Sequence, residues 1–135
     1  MTDPTTVNIT IRKNDAHLFL FRLGTPPHEI YERPGGLVQL AFHGWDRPAC
    51  HEFQCDGIPF TGFHGEGVEF EPHRMCGDGE LSMEIYCDRG RRLYVFLDDA
   101  TGLPDPHSSK AVAEFLDLER SARRLLSSPP ADAAA

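Results

Sequence analysis

The residues best equipped for chemistry lie between Cys50 and Cys87, a stretch that holds all four cysteines and three of the seven histidines. Imidazole, thiolate and carboxylate groups at such density are the donor set of a zinc or iron site, or of a proton-shuttling pair. The candidates are His51 and His64, with Cys55 or Glu66 supplying a third ligand. Zinc or iron is the cofactor this would imply; the plainer alternative is no cofactor, with both histidines buried and hydrogen-bonded.

The cysteine spacings do not resemble a zinc knuckle. Cys50 and Cys55 are separated by four residues, and Cys76 and Cys87 by ten. Free cysteines acting as small apolar side chains are therefore the favoured reading. His51-Glu52-Phe53-Gln54-Cys55 imitates the zinc-protease motif, but its last position is Cys and its residues alternate as in a strand. His28-Glu29-Ile30-Tyr31-Glu32 is a similar near-miss. No nucleophile elbow, Walker loop or dinucleotide fingerprint is present. Arg89, Arg91 and Arg92 form a basic turn suited to an anion or acidic group, because guanidinium forks match phosphate and carboxylate. A solvated turn that discourages edge aggregation is the plainer account of the same residues.

The metal reading depends on strand registers. Pairing Phe42 with Ala49 across the Gly44–Arg47 turn buries Val38, Leu40 and Phe42 together and puts His51 on their face. A two-residue hairpin at Asp56-Gly57 then pairs Cys55 with Ile58 and Phe53 with Phe60. His51 and His64 become diagonal neighbours beside Phe53 and Phe60, with Gly62 opposite His51 leaving room for a ligand.

Stepping outward, Val7, Ile9 and Ile11 alternate with polar residues as a half-buried strand does. Lys13-Asn14-Asp15 supplies a turn, and His17–Leu23 reads as a strand apolar on both faces. Residues 25–31 fit either one helical turn or an irregular crossover. Leu37–Phe42, Cys50–Cys55, Ile58–Phe63, Val68–Glu71, Leu81–Cys87 and Leu93–Leu97 read as further strands, separated by Asp-Gly and Gly-x-Gly turns. Asp105-Pro106 opens a helix to about Leu126, with Phe115, Leu118 and Ala122 on its apolar stripe. The expected fold is α+β: a curved antiparallel meander of seven to nine short strands, a sheet or partly open barrel, covered by one C-terminal helix. Residues 1–6 form a lead, 7–126 a single domain and 127–135 a tail.

At 135 residues the chain is long enough for one self-sufficient core. A net charge of −8 argues against nucleic-acid binding, which needs a cationic surface, and suits a basic protein partner. The N-terminus lacks the basic and apolar regions of a signal peptide, and no apolar run is long enough to span a bilayer. The expectation is therefore a cytoplasmic protein with reduced thiols, no membrane contact and an open oligomeric state. Two functions fit. The favoured one is a non-catalytic acidic binding module that regulates or neutralises a basic protein. The alternative is a small pocket-containing enzyme or metal protein using His51 and His64.

Overall fold

In a computed structural model the chain is described over residues 6–23, 26–43, 47–65 and 71–127. The alternation at the start forms strand β1 (Thr6–Arg12), with Val7, Ile9 and Ile11 fully buried. Where a turn and a second strand were expected, the chain forms helix α1 (Lys13–Leu23). Arg12 Nε donates to Asp15 Oδ2 at 2.8 Å, and Asp15 in the first turn favours the helix dipole. Ala16, Phe19 and Leu20, spaced three and four apart, pack on the core, whereas Phe21 is 91% exposed. The unbroken apolar run hid this helical stripe, because a short run lacks a readable period.

β2 (Glu29–Arg33) and β3 (Leu37–His43) follow as a hairpin. Residues 50–55, expected as a strand, form the short helix α2 (Cys50–Cys55). Glu52 Oε2 accepts a hydrogen bond from the backbone N–H of Ala49 at 2.8 Å, closing the helix start. Asp56-Gly57, expected as a hairpin turn, instead terminates α2. Gly57 has φ 69°, its N–H reaches the Gln54 carbonyl at 3.1 Å, and Ile58 N–H reaches the Phe53 carbonyl at 2.9 Å. These two bonds make a Schellman cap, sealed by Phe53 and Ile58 in the same core.

β4 (Pro59–His64), β5 (His73–Asp78) and β6 (Ser82–Tyr86) then form a three-stranded meander. Of the expected strand at Val68–Glu71, residues 68–70 lie outside the described residues and Glu71 is in no strand. The turn expected at Gly77–Gly79 begins later, because β5 runs through Gly77 and Asp78. Leu93–Leu97 contributes two isolated bridges, Cys87–Leu93 and Leu97–Pro104, in place of a strand.

The six strands make one open antiparallel sheet in the order β2-β3-β1-β4-β5-β6. The α+β antiparallel arrangement followed by a C-terminal helix is as expected, with six strands where seven to nine were counted. Inserting β1 between β3 and β4 replaces the Phe42–Ala49 pairing: Phe42 pairs with Val7. The last helix, α3 (Pro106–Ser127), starts as expected. Asp105 Oδ1 accepts from His107 N–H at 3.1 Å, and Pro106 occupies the first helical position.

Alternation assigns the two faces of the sheet. On one, Val7, Ile9, Ile11, Val38, Leu40, Phe42, Phe60 and Met75 pack with Phe19 of α1 and Phe53 of α2. Phe53 stacks between Phe19 (4.4 Å) and Phe60 (4.3 Å). Gly77 is required here, since a Cβ would lie 2.5 Å from the Phe60 ring. On the other face Cys76 packs with Phe115, Leu118 and Ala122 of α3, flanked by Met83, Ile85 and Leu93. The Phe115/Leu118/Ala122 stripe thus docks on the sheet as the helical spacing required. Among the described residues, no helix is long and apolar enough to cross a membrane.

Candidate functional site

The pairing that joined the two candidate metal ligands does not form. His51 sits on α2, exposed to solvent, as does Cys55 at the end of that helix. His64 is fully buried at the end of β4, where it pairs with Val7 and His73. Glu66 lies outside the described residues. Gly62, expected to admit a ligand opposite His51, instead accommodates core packing: a Cβ there would lie 2.8 Å from Met75 Cγ. Among the described residues, no group of three or more His, Cys, Asp or Glu side chains is arranged to hold a metal ion.

What surrounds His64 is a different polar cluster at the rim of the closed face. His64 Nδ1 lies 3.4 Å from His73 Nε2, which is 3.5 Å from Glu84 Oε1. His73 Nδ1 is 3.1 Å from the Glu71 carbonyl, so that nitrogen carries the proton and donates it. With that tautomer, His73 Nε2 accepts from His64 Nδ1–H. Burial, then the neighbouring His73 and Arg47, pull the His64 pKa down to about 4, so its ring stays neutral near pH 7. Glu84 also pairs with Arg47 at 3.1 Å and accepts from the Cys50 thiol at 3.5 Å. Burial and the Glu84 carboxylate raise that thiol to about 12. A thiol so raised is protonated at neutral pH and is not a nucleophile. Burial likewise pushes Cys76 up to about 12 and raises Cys87, and all four cysteines are free.

The opposite face carries a polar groove of about 240 Å³ beside α3. Asn8, Thr10, Gln39 and Thr61 form its sheet side, with Arg74, Arg91, Glu119 and Arg123 around it. Arg74 forks onto the nearly buried Glu119, with Nε 3.3 Å from Oε2 and Nη2 on Oε1. Arg74 Nη1 also donates to the Arg91 carbonyl at 2.8 Å. Arg123 lies one turn beyond Glu119, its guanidinium 3.6 Å from the same carboxylate. Arg91 rests on the Phe63 ring at 4.3 Å. Of the basic turn noted in the sequence, Arg91 lines this groove; Arg89 and Arg92 do not.

Sequence reasoning missed Arg74, Glu119 and Arg123. One signal was available: Glu119 falls four residues after Phe115 and three before Ala122, so a carboxylate stands on the edge of an apolar stripe.

A third feature follows the basic turn. Leu93 packs inward, but Tyr94, Val95, Phe96 and Leu97 are all exposed, as is Leu103 across the bridge. In extended chain, successive side chains point to opposite sides. Four exposed in a row therefore make an arm that presents apolar surface on both sides. It is nonetheless well bonded. Phe96 N–H reaches Ser108 Oγ at 2.8 Å, Asp105 N–H reaches the Phe96 carbonyl at 2.8 Å, and Asp98 Oδ1 accepts from Ala100 and Thr101 N–H in the tip turn. In comparison with known proteins, no family model, no curated protein and no solved structure matches this chain.

Proposed function

We propose that this protein is a non-catalytic cytoplasmic binding module that docks a basic protein through the arm at residues 94–104, regulating or neutralising that partner. The observation that carries the reading is the arm itself: Tyr94, Val95, Phe96, Leu97 and Leu103 are 42–64% exposed on a hydrogen-bonded scaffold. Contiguous exposed apolar residues are characteristic of a surface that a partner covers. Because the tip is already ordered, less conformational entropy is lost on docking. Asp98 and Asp99 lie within the arm, and the net charge of −8 favours a cationic partner and hastens its encounter. Four free thiols accord with a reducing compartment.

The test is affinity capture from native lysate with the wild-type protein and with Phe96→Ser/Leu97→Ser, read by quantitative mass spectrometry. The expected result is a basic protein retained by the wild type, lost from the variant and associating more slowly as salt rises. Equal recovery by both proteins would refute the arm as the docking element. Loss only of self-association in the variant would replace the basic partner with a second copy of the chain.

A further inference from the structure

Arg91 is held in a way that neither the fold nor the arm requires. Its φ is 67°, the only positive value at a non-glycine residue among those described, although Gly90 stands immediately before it. A side chain in this left-handed region is sterically costly. Three hydrogen bonds hold the turn: Asp88 N–H to the Arg92 carbonyl at 2.9 Å, Arg92 N–H to Asp88 Oδ1 at 2.8 Å, and Arg91 N–H to the Asp88 carbonyl at 3.0 Å. Arg74 adds a fourth through the Arg91 carbonyl. From this turn the guanidinium reaches over Phe63, its Cζ 4.3 Å from the ring centroid, and lines the polar groove. A cation–π contact does not consume the N–H donors of the guanidinium in hydrogen bonds. Among the described residues Arg91 forms no ion pair.

Around the groove, three guanidiniums stand against one carboxylate, and Arg74 already satisfies Glu119. The cationic excess therefore lies on Arg91 and Arg123, one from the turn and one from α3. The sheet side of the groove offers uncharged hydroxyl and amide groups. Asn8 Oδ1 accepts from Gln39 Nε2 at 3.0 Å, so the donor Asn8 can still offer is its own NH₂. A volume of about 240 Å³ lies below the range of roughly 300–1,000 Å³ typical of drug-sized sites and selects a small occupant.

We propose that the groove between Arg91 and Arg123 binds the phosphate group of a small phosphate monoester, with Asn8, Thr10 and Thr61 receiving the polar remainder of the molecule. A monoester carries close to two negative charges at neutral pH, matching the excess of two positive charges left when Glu119 is set against the three guanidiniums, although Arg123 also lies 3.6 Å from that carboxylate. This site is separate from the arm and does not depend on the proposed partner.

Inorganic phosphate, with ionic strength held constant by sodium chloride, is titrated into the full chain and followed by amide resonances. The wild type should show saturable shifts at Thr61, Gly62 and Arg91. Arg91→Gly suits the left-handed backbone and keeps the turn, yet it should weaken binding by about ten- to a hundred-fold, as loss of a charged hydrogen-bond donor does. Arg123→Gln should weaken it similarly, and Arg89→Gln, outside the groove, should leave it unchanged. Succinate is titrated in parallel. Tighter binding of succinate would overturn the phosphate assignment. No saturable shift, or shifts that persist in Arg91→Gly/Arg123→Gln, would overturn the site.

Discussion

On one face of the sheet, α1 and α2 bring Phe19 and Phe53 onto Val7, Ile9, Leu40, Phe42 and Phe60, all fully buried. On the other, α3 covers the β4–β6 half with Phe115, Leu118 and Ala122, while Asn8, Thr10 and Gln39 on the β1–β3 half line an open groove. The difference is already written in the strand alternation. Val7, Ile9 and Ile11 face the sealed layer and Asn8 and Thr10 the open one. The sealed face concentrates stability, and at its rim burial keeps the His64 ring neutral. The half-covered face leaves arginines, amides and the apolar arm accessible. The two sites proposed for binding therefore both lie where the second layer stops.

This contrast is open to attack by mutation. The largest effect should come from Phe53→Ala, which removes a ring stacked on two others. It should cost about 3–5 kcal/mol by chemical denaturation, at or above the cost of Phe115→Ala on the opposite face. If Phe115→Ala were clearly the more damaging, α3 rather than the α1/α2 layer would hold the main core.

An effect of about 3 kcal/mol should appear with pH, through His64. Its folded-state pKa lies at about 4, below the ordinary value of 6.5. Above pH 6.5 the ring is neutral in both states and the contribution is complete. As pH falls from there toward 4 the unfolded chain binds the proton first, so stability is lost across that window. His64→Gln should flatten this part of the pH–stability profile; a profile parallel to the wild type would show that His64 does not titrate as its burial implies.

Arg91→Gly should be the mildest change. Relief of the left-handed strain offsets loss of the Phe63 stack, leaving stability within about 1 kcal/mol of wild type. A large loss would mean that Arg91 serves the fold.

Legibility in the sequence followed the same division. β1 and α3 could be read because each presents one clean period and recognisable caps, Asp105-Pro106 among them. The middle of the chain could not. His17–Leu23 is apolar at nearly every position, so the helix that buries Phe19 and exposes Phe21 leaves no period to detect. Asp56-Gly57 is equally good chemistry for a hairpin and for a helix cap, since both need the positive φ found at Gly57. Choosing the hairpin put residues 50–55 in a strand and carried His51 toward His64. Ala49 followed three residues later by Glu52 was the competing signal, one half of a capping box. The groove was less legible still. Arg74 and Glu119 lie 45 positions apart, and only the β5–α3 contact joins them. Arg91 was visible as part of a basic turn, but neither its left-handed backbone nor its place in the groove could be read from that turn.

The most direct test of an arm kept for binding rather than for folding is the unfolding midpoint of Phe96→Ser/Leu97→Ser, measured beside its partner association. Because both side chains are about 60% exposed, the account predicts a midpoint matching wild type together with loss of the captured partner. A markedly lower midpoint with association intact would contradict it, by showing that the arm packs for stability and that recognition lies elsewhere.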